Sequence, residues 1–137
     1  MADYSKVWRT REVTVSLKNA GTKVILERTR GFKNKKKQII FEHDKFLSLV
    51  QAVVHAVTVQ PRGPVHARWP VAMVDGGCGT LTVSWEPYYF DTRNALMIRG
   101  GVGNCVAVEQ KNAWDFALWL TRQIPVLGES SAPNWAK

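Results

Sequence analysis

The sequence predicts an α+β fold: two repeats of a three- or four-stranded antiparallel sheet, each followed by one helix. Three observations carry that expectation. Apolar and polar residues alternate with period two in both halves, as in half-buried strands. Each run of strands gives way to a stretch with helical spacing. The same order of elements recurs after about 67 residues. With 137 residues, 45% of them hydrophobic and 22% charged, the chain can bury a core without disulfide staples and has a globular composition.

In the first repeat, residues 1–60, Val13, Val15 and Leu17 alternate with Thr14, Ser16 and Lys18, in a stretch that can begin near Val7. Asn19-Ala20-Gly21 reads as a turn, and Thr22 to Arg30 as the antiparallel return strand. Gly31 to Lys37 reads as a lysine-dense loop, followed by a third strand over Gln38–Glu42. Phe46, Leu47, Leu49, Val50, Val53, Val54 and Val57 then fall at helical spacing, with Asp44 placed to cap them. This helix is rich in valine, so burial rather than propensity must hold it.

Gln60-Pro61-Arg62-Gly63-Pro64 ends that helix, and residues 61–64 form the connector. The second repeat, 65–125, opens with Val65–Val74, an edge or irregular strand because Pro70 interrupts it. Strands are expected over Thr80–Phe90, Ala95–Arg99 and Asn104–Glu109. Asn112 is the expected cap of a helix running to Ile124, stopped by Pro125. Residues 126–137 read as a flexible tail, with Trp135 as an anchor. Letters repeat as well: Thr14-Val15-Ser16 recurs as Thr82-Val83-Ser84, and Ile40-Phe41-Glu42-His43 corresponds to Ala107-Val108-Glu109-Gln110. The two repeats are expected to form one folded unit.

Net charge is +8, and it is unevenly placed. Residues 1–60 hold twelve Lys and Arg against five Asp and Glu, whereas residues 61–137 hold seven against six. A localised positive field suits a polyanion, because each neutralised phosphate releases condensed counterion. The segment 28–37 holds six basic residues, one aromatic and no acid. As a hairpin tip it would reach phosphates with Arg28, Arg30, Lys33, Lys35, Lys36 and Lys37, while Phe32 stacks. The bland alternative is a solvated lysine loop that protects a sheet edge.

In the second half, Trp85-Glu86-Pro87-Tyr88-Tyr89-Phe90 places four aromatics within six residues, read as the counterpart of that basic loop. An alternating strand cannot turn them all inward, so outward rings are available for base stacking; the competing reading is core or subunit contact. Trp8 with Arg9 and Arg11 repeats the mixture near the N-terminus. Neither helix is cationic, which argues against a recognition helix in a major groove. The second helix is apolar over much of its circumference. Trp114, Leu118 and Trp119 are therefore expected at a homo-oligomer interface, in a dimer or higher assembly.

Catalytic constellations are absent from the letters. His43, His55 and His66 lack metal-ligand spacing, and Gly100-Gly101-Val102-Gly103 leads into a strand rather than the helix N-terminus that a nucleotide-phosphate loop needs. No enzyme activity, cofactor or metal is expected. Cys78 and Cys105 are too few for a disulfide scaffold, which fits an intracellular protein. No apolar run approaches the ~20 residues of a membrane span, so no membrane partner is expected.

Val24-Ile25-Leu26-Glu27-Arg28, a long basic hairpin, Ile39-Ile40-Phe41 and a helix opening near Asp44 resemble the superfamily joining Whirly proteins, PUR-alpha proteins and the transcriptional positive cofactor four. Glu86-Pro87-Tyr88-Tyr89-Phe90 is similar to the aromatic end of a hairpin strand in that superfamily. The resemblance covers most of residues 7–124 through element order and residue character. It implies single-stranded nucleic-acid binding, DNA before RNA, by an oligomer acting in transcription, replication or genome maintenance. The expected contacts are Trp8, Arg9, Arg11, Lys23, Arg28, Arg30, Phe32, Lys33, Lys35, Lys36, Lys37, Trp85, Tyr88, Tyr89, Arg93 and Arg99. The alternative from another class is a structural or interaction subunit, such as a viral assembly or accessory protein, whose aromatics are oligomer contacts.

Overall fold

The structure, a computed structural model, describes residues 4–8, 11–30, 35–87, 94–100 and 104–125. Two four-stranded antiparallel sheets are present, each a simple meander followed by a helix. The first comprises β1 (Tyr4–Trp8), β2 (Arg11–Ala20), β3 (Lys23–Arg30) and β4 (Lys35–Glu42), followed by α1 (Phe46–Thr58). The second comprises β5 (Trp69–Asp75), β6 (Thr80–Pro87), β7 (Asn94–Gly100) and β8 (Cys105–Glu109), followed by α2 (Gln110–Arg122).

The first sheet differs from the sequence reading at both ends. Tyr4–Trp8 form a separate strand, β1, which pairs with β2 from Tyr4↔Val15 to Trp8↔Arg11. Lys35, Lys36 and Lys37 are strand positions rather than loop, because β4 pairs with β3 as far as Arg30↔Lys35. A lysine run lacks apolar alternation and so looks like loop; the ladder of backbone hydrogen bonds overrides that weak propensity. In the second sheet, β5 starts only at Trp69. It lies at the edge, and its register with β6 shifts between Pro70 and Ala72. An edge tolerates a proline there because a missing N–H faces no partner strand.

Neither expected helix cap is used. Asp44 lies in a single 3₁₀ turn, His43–Lys45, ahead of α1, and Lys45 at the cap position makes no side-chain cap bond. Asn112 is inside α2, which begins directly after Glu109 leaves β8 in extended conformation. The strand-to-helix transition takes no linker, so the capping position falls on the last strand residue.

One core joins the two halves. Leu17, Leu26, Ile39 and Phe41 from the first sheet, Leu81, Val83, Trp85, Leu96 and Ile98 from the second, and Leu49, Val53, Phe116 and Leu120 from the helices belong to a single buried cluster. Gly100 permits the sheets to approach. A Cβ there would stand 2.7 Å from Leu81 Cδ2 and 3.3 Å from Ile39 Cγ2. The halves are also tied by the Glu42 N–H, which donates to Gly76 O at 2.7 Å. Gly77, at φ 78°, fits beside the Glu42 carboxyl where a side chain would collide. The helices pack on each other, α1 lies along β5 and β6, and α2 reaches β7, β8 and β1.

Candidate nucleic-acid interface

Strand register sorts the charges of the first sheet between its faces. Leu17, Leu26 and Ile39 form one cross-strand rung of the buried core. The next rung on that face is Tyr4–Val15–Arg28–Lys37, and the one after it is Lys6–Val13–Arg30–Lys35. Trp8 and Arg11 follow as register partners. Positions on this face thus hold six cations, Lys6, Arg11, Arg28, Arg30, Lys35 and Lys37, and no acid.

Positions on the opposite face hold Lys18, Lys23 and Lys36 against Glu12, Glu27 and Glu42, a formal balance of zero. There the charges pair: Lys18 Nζ lies 2.9 Å from Glu27 Oε1, and Gln38 also donates to the Glu27 carboxylate. Alternation therefore concentrates the positive excess of the sheet on one side, at the end where β3 and β4 outrun the apolar core.

The last three β3–β4 pairs are Arg28↔Lys37, Thr29↔Lys36 and Arg30↔Lys35. Like charges directly opposite each other destabilise an antiparallel ladder. Arg28 is half-buried and Lys37 is exposed. Of Trp8, Arg11, Arg30, Lys35 and Lys36 the structure describes the strand position and not the side chain. Arg9, Phe32, Lys33, Tyr88, Tyr89 and Arg93 lie outside the described residues.

Three of the sequence-derived assignments, those of Trp85, Arg99 and Trp119, are corrected. Trp85 is 0% exposed, and its indole N–H donates to Ala56 O at 3.0 Å, so it is a core residue that anchors α1. Its position faces inward because it shares a rung with Leu96 and Val108. Arg99 forks onto Glu86, with Nη2 2.6 Å from Oε1 and Nε 2.8 Å from Oε2, and is committed to that carboxylate. Lys23 is exposed at the opposite end of β3 from Arg28, as the register partner of Glu42. Trp119 is buried and stacks on Phe116 with ring centroids 5.8 Å apart, so it packs within the chain rather than against a second copy. Trp114 and Leu118, one helical turn apart on α2, are 51% and 40% exposed.

The correspondence between halves also changes. With four strands in each sheet, the basic β3–β4 hairpin matches the β7–β8 connection near Gly100, whereas the aromatic segment after Trp85 joins β6 to β7 and matches the Gly21 turn. The missed strand β1 had shifted the comparison by one hairpin.

Beside Arg99, Glu86 carries a small polar network on the second sheet. Ser84 Oγ donates to Glu86 Oε2 at 2.8 Å, and Arg68 Nε approaches the same oxygen at 3.5 Å. Burial raises the Glu86 pKa, but hydrogen bonds from Arg99 and Ser84 and the charges of Arg99 and Arg68 outweigh it and hold the pKa below its ordinary value. Among the described residues, no group of three His, Cys, Asp or Glu is placed to hold a metal, and no helix is long and apolar enough to cross a membrane. No protein-family model and no curated protein matches the chain.

Proposed function

We propose that this chain binds single-stranded nucleic acid, DNA in preference to RNA, along the cationic end of its first sheet. The single observation that carries the reading is the register: six cationic positions and no acid on one face, with Tyr4 and Trp8 on the adjoining edge strand. Cations at strand spacing follow a phosphate backbone, and aromatics interleaved with them suit unpaired bases, whose faces are open for stacking. A duplex keeps its base faces stacked and closed to such rings, which favours a single strand over a duplex. The duplicated order of four strands and a helix supports kinship with the Whirly, PUR-alpha and positive cofactor four superfamily, and with it a role in transcription, replication or genome maintenance.

The test is fluorescence anisotropy with single-stranded and duplex oligonucleotides across a salt series. Single-strand affinity is expected to fall steeply with salt, with a log–log slope of about −0.7 per phosphate contacted. Replacing Lys35, Lys36 and Lys37 by Gln should weaken binding and flatten that slope. Undiminished binding by the triple variant at low salt would remove the hairpin from the interface.

One observation favours a second reading, a structural or interaction subunit. Exposed Trp114 and Leu118 form an apolar pair on α2 suited to self-association. Mass measured over a concentration series, with and without oligonucleotide, separates the two. Assembly without nucleic-acid affinity selects the second reading.

A further inference from the structure

The connector between the halves, a mere spacer by composition, is a braced and exposed basic segment. Asn94, buried at the start of β7, accepts a hydrogen bond from the Val65 N–H at 2.8 Å and donates to Gly63 O at 2.9 Å and Gln110 Oε1 at 2.8 Å. Gln110, the first residue of α2, donates to Pro61 O at 2.8 Å and Gln60 Oε1 at 3.1 Å. Two side-chain amides thus hold the backbone of residues 61–65 in place.

The connector and the start of β5 together present cations and an aromatic ring. Arg62, Arg68 and Trp69 are exposed, and no acid occurs from Gln60 to Val74. Arg68 approaches the Glu86 carboxylate at 3.5 Å, beside Arg99 at 2.6 Å. Under the connector lies a cleft of about 370 Å³ walled by Pro61, Arg62, Pro64 and Lys111, with Asn94, Gln110 and the buried acid Glu109 also in its lining. The side chain of Lys111 is 61% exposed and stands 3.8 Å from Glu109. Trp69 is 42% exposed, while its cross-strand partner Trp85 is fully buried. Trp69 and Asn94 are two strands and two residues apart in the sheet, which places their backbones about 12 Å from each other.

We infer that the connector is a second contact for the same nucleic-acid strand. Arg62 and Lys111 hold phosphate at the mouth of the cleft, and Trp69 stacks a base farther along. The occupant is single-stranded nucleic acid because positive charge on a braced connector is joined to a half-exposed indole at the start of β5. The inference rests on the single-strand reading above, and it extends the interface from the first sheet to the second.

The test uses the full chain with labelled oligothymidylates of about six and about twenty nucleotides, the shorter spanning one contact and the longer both. The variants are Trp69→Ala and the pair Arg62→Gln with Lys111→Gln. Trp69 and Arg62 are exposed, so their replacement should leave the thermal midpoint close to the parent's, whereas Lys111→Gln also removes the cation 3.8 Å from the buried Glu109 carboxylate and should lower it. Each variant should bind the shorter strand within about twofold of the parent and the longer strand about tenfold more weakly, with the charge pair flattening the salt slope by about 1.4. Photo-cross-linking of the parent to an iodouracil-substituted longer strand should yield an adduct on the peptide containing Trp69. Parent-like affinity of both variants for the longer strand, or adducts confined to other peptides, overturns the connector contact and leaves the first-sheet contact standing. Absence of binding by the parent to either strand overturns the single-strand reading itself.

Discussion

At the scale of single residues, the same chemistry serves different ends according to where the strand places it. Trp85 has the composition of a stacking residue and the position of a core residue. Removing its ring by Trp85→Ala should cost about 3–5 kcal/mol, the range for emptying a large aromatic site. Trp85→Phe should cost less, but still lose the hydrogen bond to Ala56 O. Denaturant titration measures both, and an exposed Trp85 would instead leave the midpoint nearly unchanged. Glu86 supports a second prediction. Its folded-state pKa lies below the ordinary value near 4.5, so its ion pairing contributes stability that is fully present above that value. The contribution is lost as pH falls through the lower, folded-state pKa. Glu86→Gln should therefore destabilise the protein at neutral pH, by about 1–3 kcal/mol for hydrogen bonds to a charged group, and the gap from the parent should narrow in acid. A gap that stayed constant with pH would contradict the assigned network.

At the scale of elements, the β3–β4 hairpin holds like charges opposite each other, an arrangement that folding alone does not favour. Replacing Lys35 and Lys37 by Gln should raise stability at low salt by about 0.2–1 kcal/mol per relieved pair, and the gain should shrink as salt screens the repulsion. The same substitutions should weaken single-strand binding, a stability-for-binding exchange that an idle solvated hairpin would not show. The connector gives the opposite case. Asn94→Ala removes three hydrogen bonds from a buried amide, and should cost about 1–3 kcal/mol by leaving partners unsatisfied. Amide exchange should quicken around Gly63 and Val65. Most strands and both helices were legible because period-two and period-3.6 patterns survive wherever one face is buried. The first strand was not, because a short edge strand with Lys6 and Trp8 carries no clean alternation. The extension of β4 through three lysines was hidden for the same reason.

At the scale of the whole molecule, the halves share one core, so neither sheet has a complete apolar partner without the other. The chain should unfold in one cooperative transition, observed identically by far-ultraviolet circular dichroism and tryptophan fluorescence. Residues 1–60 expressed alone should show no cooperative transition; an independently folded half would break the shared-core account. The exposed pair Trp114 and Leu118 is an apolar patch of the intact molecule on which the proposed self-association can be tested. Trp114→Glu should lower the mass observed at high concentration while sparing the thermal midpoint, because that side chain is already half in solvent.

The sequence by itself determined the fold class, the duplicated order of sheet and helix, and the unequal charge of the two halves. All three depend on local periodicity and composition, which a linear chain displays directly. Only the tertiary structure decided which charges and rings share a face. Pairing brings Lys6, Arg28, Arg30 and Lys37 from three strands to neighbouring positions, turns Trp85 inward and commits Arg99 to Glu86. Side-chain direction alternates residue by residue, so a face is defined by register between strands, and register is set by long-range pairing that no single segment encodes.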